Sequence, residues 1–172
     1  MVGLQTWRTL FNNFAVDVAN LQGSHIGIIQ AIREVPGFLA LLAIFVIIFI
    51  REHKLSALSI FFLGAGVGLT GLVPSYFGLL STTLIMSFGF HYYETTNQSL
   101  TLQYFNQETS PWVFGKLRSY GAATNVVIGL IIFIVSFVLS YKQIYILIGL
   151  IIVIASIWAF SQNPTHDNIV PQ

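Results

Sequence analysis

Apolar residues in this chain fall in long blocks, not in the short alternations that mark strands. The blocks at 26–50, 55–73, 121–140 and 144–160 each approach the ~20 helical residues needed to cross a ~30 Å hydrocarbon core. Only the first holds ionisable groups, Arg33 and Glu34. A fifth block starts near Phe77, is apolar to Phe90, and then turns polar while staying helix-compatible to about Phe105. As one helix it would be ~40 Å long, enough to cross a bilayer and project beyond it.

The first twenty residues read differently. Leu4, Trp7, Phe11, Phe14 and Val18 recur at spacings of 3, 4, 3 and 4, one face of a helix, with Arg8, Asn12 and Asn13 off that seam. This predicts either an amphipathic helix lying at the interface or the second half of a spanning helix. The connections are short: 51–54, Pro74-Ser75, a polar loop at 106–110 before Pro111, and a hairpin at 141–143. The predicted organisation is an all-α transmembrane bundle over 1–160. Its spans lie at about 4–19 (partial), 26–50, 55–73, 77–105, 112–140 and 144–160, and a polar tail at 161–172 reads as a linker.

Composition narrows the class. Of 172 residues, 55% are hydrophobic and 8% charged, against about 25% charged in soluble domains. That excludes an ordinary soluble domain and a disordered chain, and the long blocks exclude a β-barrel. Seven Lys+Arg against six Asp+Glu leave no basic patch for nucleic acid. There is no cysteine, hence no thiolate metal site and no cysteine nucleophile. Residues 1–5 lack the features of a signal peptide. Arg51, Lys54, Lys116 and Arg118 lie on one side of the predicted topology and Lys142 on the other. The positive-inside rule then predicts that the 51–54 and 106–120 loops and the tail are cytoplasmic.

Several polar groups inside the blocks could carry chemistry. Thr83, Ser87, His91, Glu94, Gln98 and Thr101 span 18 residues in five turns, the period of an α-helix. Lipid offers them no partner, so the stripe predicts a helix-facing or wet surface. It reads as a solute or proton pathway with His91 and Glu94 as titratable members, or as polar glue between helices, or as the helix leaving the membrane. Gln30, Arg33 and Glu34 form a second cluster, with Pro36 predicting a kink beside it. Neighbouring helical positions ~100° apart let Arg33 and Glu34 share a sector without bridging directly. Arg33 alternatively snorkels outward while Glu34 pairs structurally. Arg8 is a third cation, with Glu34 or Glu94 as its natural counter-ion. Gly64, Gly68 and Gly71 share a helix face, as do Gly115, Ser119 and Ala122, a pattern for close helix packing. One His and one Glu are too few for a metal site. No nucleophile elbow, phosphate-cradling loop or cofactor motif occurs. The sequence therefore predicts no enzyme and no cofactor.

Three strings carry a family resemblance: Trp7-Arg8-Thr9-Leu10-Phe11-Asn12-Asn13-Phe14-Ala15-Val16-Asp17, Arg33-Glu34-Val35-Pro36-Gly37-Phe38-Leu39-Ala40 and Ser87-Phe88-Gly89-Phe90-His91-Tyr92-Tyr93-Glu94-Thr95. With the order of helices, they resemble the N-terminal six-helix half of a major facilitator superfamily transporter, of a little-characterised bacterial branch. The loop at 51–54 departs from the superfamily's usual loop signature, having neither Asp nor Gly.

The resemblance implies a bacterial inner-membrane location and a chain lacking the start of helix one and a C-terminal half. It also implies a central cavity lined by residues such as Arg8, Asn12, Gln30, Arg33, His91 and Glu94. The expected function is movement of a small solute by alternating access, with protons as a candidate coupling ion and Glu34, His91, Glu94 and outlying Asp17 as candidate carriers. The alternative is a membrane scaffold that oligomerises through its glycine faces.

Overall fold

The computed structural model describes residues 2–162. The expected linker tail falls outside these residues beyond position 162. Every regular element among the described residues is helical: α1 (Val2–Asp17), α2 (Gly23–Arg33), α3 (Val35–Leu39), α4 (Ala43–Phe49), α5 (Glu52–Thr70), α6 (Tyr76–Tyr104), α7 (Ser110–Val135) and α8 (Tyr141–Ser161), with a 3-10 turn at Ala40–Leu42. Four stretches are long and apolar enough to cross a membrane: Gly23–Phe49, Glu52–Thr70, Ser110–Val135 and Tyr141–Ser161. These correspond to the four cleanest apolar blocks. Helix α6 is long enough, at 29 residues, but its polar second half keeps it out of that set.

Several boundaries differ from the sequence reading. The 51–54 loop shrinks to a short turn, because Glu52 already opens α5. The start of α7 does not differ: the helix begins at Ser110, with Pro111 in the first turn, where its missing N–H costs no hydrogen bond. Helix α7 ends at Val135, not 140, and Ser136 to Leu139 form turns. Helix α8 starts earlier than expected, at Tyr141, through a capping box in which Ser140 and Gln143 bond reciprocally. Val18 lies past the end of α1 and is exposed, while Leu4, Trp7, Phe11 and Phe14 are buried as the seam requires.

The packing centre is α5, sandwiched between α6 and α8. Glycines set both approaches. A Cβ on Gly66 would stand 2.5 Å from the Met86 backbone nitrogen, and one on Gly89 would collide with the α5 backbone at Leu63 and Ser59. On the other side, Gly64 and Gly68 meet Ile152, Val153 and Gly149 of α8. Both interfaces therefore bring backbones together where larger residues would hold them apart. The α1 seam closes over this layer: Trp7 stacks on Phe11 at 4.1 Å, and Phe14 meets the Tyr145 ring edge-on at 5.3 Å. Helix α7 packs mainly on α1 and stays exposed over most of its length.

Candidate functional site

The site forms where the Gly23–Phe49 span breaks. Pro36 has no N–H to offer the Ile32 carbonyl, so the helix loses that bond and its regular ladder is interrupted there. Helix α2 stops at Arg33, and α3 restarts after Glu34 with a tightened bond from the Gly37 N–H to the Glu34 carbonyl (3.0 Å). The break faces the middle of α6. His91 lies about 22 Å along that helix from Tyr76 and about 20 Å from Tyr104.

Arg33 and Glu34 bridge directly. The guanidinium Nε and Nη2 both donate to Glu34 Oε1, at 3.0 and 2.5 Å. The sequence reading expected no direct bridge, because neighbouring Cβ atoms diverge on a helix. The long Arg stem instead folds back onto the carboxylate, and the same guanidinium lies over the Trp7 ring at 5.6 Å. Arg33 does not snorkel: its side chain is 17% exposed, whereas Glu34 is 53% exposed and forms the open member of the pair. The second carboxylate oxygen of Glu34 lies 4.0 Å from His91 Nε2.

Helix α6 braces the break from behind. Ser87 donates to the Arg33 carbonyl, and Tyr92 donates to the Leu39 carbonyl at 3.2 Å. Ser87 is therefore buried glue and not an open cavity wall. Gly37 gives the His91 ring its place, since a Cβ there would sit 3.0 Å from Cε1.

The remaining expected residues sort by exposure. Arg8 and Asn12 are exposed on α1, one turn apart. Arg8 makes no ion pair among the described residues, with Glu94 or otherwise, though it is within electrostatic reach of Glu34. Gln30 is half-buried one turn before Glu34, and Glu94 is half-buried one turn beyond His91. Further along the stripe, Thr83 and Thr101 are buried and Gln98 is exposed. Asp17 is tied down at the far end of α1, accepting a hydrogen bond from Tyr141 (3.1 Å).

The structure thus joins Arg33, Glu34, Ser87 and His91 into one constellation, with Arg8 nearby. Glu94 lies within electrostatic reach of His91, and among the described residues no side-chain hydrogen bond or ion pair joins Asn12 or Gln30 to the constellation. Trp7, Gly37 and Tyr92 are participants the sequence reading left out; only the Pro36-Gly37 pair after two charges signalled one of them. Two buried polar atoms nearby, the Trp7 indole nitrogen and the Thr83 hydroxyl, have no hydrogen-bond partner among the described residues. Chemically, the arrangement offers an accessible carboxylate beside an imidazole, on a broken helix, in an otherwise apolar layer. No family model, characterised protein or solved structure matches the chain.

Proposed function

We propose that this chain forms half of a secondary transporter that moves a small solute across a membrane by alternating access. The observation that carries this reading is the Arg33–Glu34–His91 constellation at a mid-length break in a spanning helix. Ionisable groups at such depth are costly and are kept where they line a path or bind something. Discontinuous helices at midplane are a recurrent way to build transporter sites. Glu34 is the exposed acid and His91 its proton-accepting neighbour, which suits proton coupling. The exposed polar groups Arg8 and Asn12 extend the site along α1 toward the expected second half of the cavity. The resemblance to the major facilitator superfamily points the same way, and to a bacterial inner membrane with the 51–54 side cytoplasmic.

For a scaffold working through its glycine faces, the α5 face is already taken, because Gly64 and Gly68 pack against α8 within the chain, and only the open Gly115 face of α7 is left to it.

These 172 residues hold no cysteine, so labelling of an introduced one can be read on its own peptide by mass spectrometry. Asn12→Cys, in the protein in its native membrane, should react with a charged, membrane-impermeant thiol reagent. Ile151→Cys, exposed on the apolar face of α8, should stay inert. An Asn12→Cys as inert as Ile151→Cys would remove the wet cavity and the transporter reading with it.

A further inference from the structure

The outer face of α5 carries a feature that solute transport does not use. Leu58 forms a ridge between two grooves. One, of about 340 Å³, lies between α5 and α6 and is walled by Leu55, Phe62, Phe88 and Gly89. The other, of about 220 Å³, lies between α5 and α8 and is walled by Ala57, Phe61, Ile157 and Phe160. Both exist because glycine draws the neighbouring helices against α5 and leaves furrows beside the contacts. Their linings are apolar apart from Ser59 and Tyr92 in the first and Ser156 in the second, and all three hydroxyls donate to backbone carbonyls.

Charge is sorted at the end where the grooves reach the start of α5. Lys54 lies one turn before Leu58, and its ammonium sits over the Phe160 ring at 5.6 Å, at the edge of the second groove. Arg51, at the helix cap, is exposed and makes no ion pair among the described residues. The one acid between them, Glu52, is turned to α6, where Ser99 donates to it at 3.0 Å and Gln103 donates to its other oxygen. Its charge is held by these bonds, away from the ridge.

Two apolar furrows astride one ridge, under two cations at the helix end, match a two-tailed amphiphile with an anionic head. We infer that this face binds an anionic phospholipid, one acyl chain in each groove and the phosphate at Lys54 and Arg51. In the proposed orientation this is the cytoplasmic leaflet, where anionic lipids act on basic side chains near the surface. The site is independent of the transport reading and survives its failure.

The test is native mass spectrometry of the protein equilibrated with mixed phosphatidylcholine and phosphatidylglycerol. About a fivefold preference per basic residue gives roughly thirtyfold retention of phosphatidylglycerol over phosphatidylcholine. Arg51→Gln with Lys54→Gln should abolish that preference. Leu58→Trp, whose indole crowds one furrow while leaving the cations, should reduce retention of the lipid. Lys116→Gln with Arg118→Gln, a basic pair on α7 away from the grooves, should change neither and controls for folding and for bulk charge. Equal retention of the two lipids by the unaltered protein overturns the inference, as does a preference that survives loss of Arg51 and Lys54 or falls equally with Lys116 and Arg118.

Discussion

At the scale of single residues, His91 is held by what is missing opposite it. Gly37 leaves the space that the imidazole occupies, and Glu34 approaches the ring from the side. A methyl group at position 37 would meet only the far end of a side chain, which can turn away at small cost. Gly37→Ala should therefore leave the melting temperature nearly unchanged while displacing the His91 ring from Glu34. The readout is carbethoxylation of His91, followed by peptide mass spectrometry, which should run faster in the variant. An unchanged rate would show that the ring does not depend on Gly37. Much at this scale was legible: helical period alone put Ser87, His91 and Glu94 on one face. Their separate fates were not, because the Ser87 partner is a carbonyl 54 positions away. No local spacing reports which helix will stand opposite a stripe. The Arg33–Glu34 bridge was missed for a different reason, since periodicity locates Cβ atoms and says little about where a long flexible stem ends.

At the scale of elements, composition identified the helices better than their ends. Pro36 announced the break in the first full span, but the second irregularity, at Ala40–Leu42, contains neither proline nor glycine. The stop of α7 at Val135 was hidden in the same way, because Phe137, Val138 and Leu139 continue the apolar run. Glycine spacing correctly marked α5 as a close-packing helix, and the structure supplies the partners. This yields a contrast between two glycines in the middle of long helices. Gly89→Ala forces a Cβ into the α5 backbone, where neither helix can yield locally; overpacking of this kind costs about 1–3 kcal/mol or more. Gly129→Ala on α7 enters open space and should gain up to about 1 kcal/mol of helix propensity. Thermal unfolding in detergent should show the first variant clearly destabilised and the second at or above the parent. If the two melt alike, the α5–α6 contact is looser than described.

At the scale of the whole molecule, the apolar blocks carried the class but not the arrangement. Lipid and protein interior are equally apolar, so hydropathy cannot say which face of a spanning helix meets which. The structure resolves this for α5, whose two flanks are filled, and for α1, whose seam is buried. It also leaves Arg8 and Asn12 exposed one turn apart on α1, with Arg8 within electrostatic reach of Glu34. If α1 lies within the bilayer, as the two-half reading requires, an Arg at its middle costs about 3 kcal/mol against lipid. A face that carries one together with an amide, near the acid of another helix, calls for protein or water against it. Under the two-half reading the cover is a second helical bundle of the same polypeptide, and the wet space between the bundles is the path for solute. Protein extracted from its own membrane and separated under denaturing conditions should then run at about twice 19.1 kDa or more. A band at 19.1 kDa would overturn the covalent two-half arrangement and leave a second copy as the cover. That arrangement has its own signature: with the α1 faces of two copies opposed, Asn12→Cys should cross-link to itself under mild oxidation, and Ile151→Cys, on the opposite apolar surface, should not.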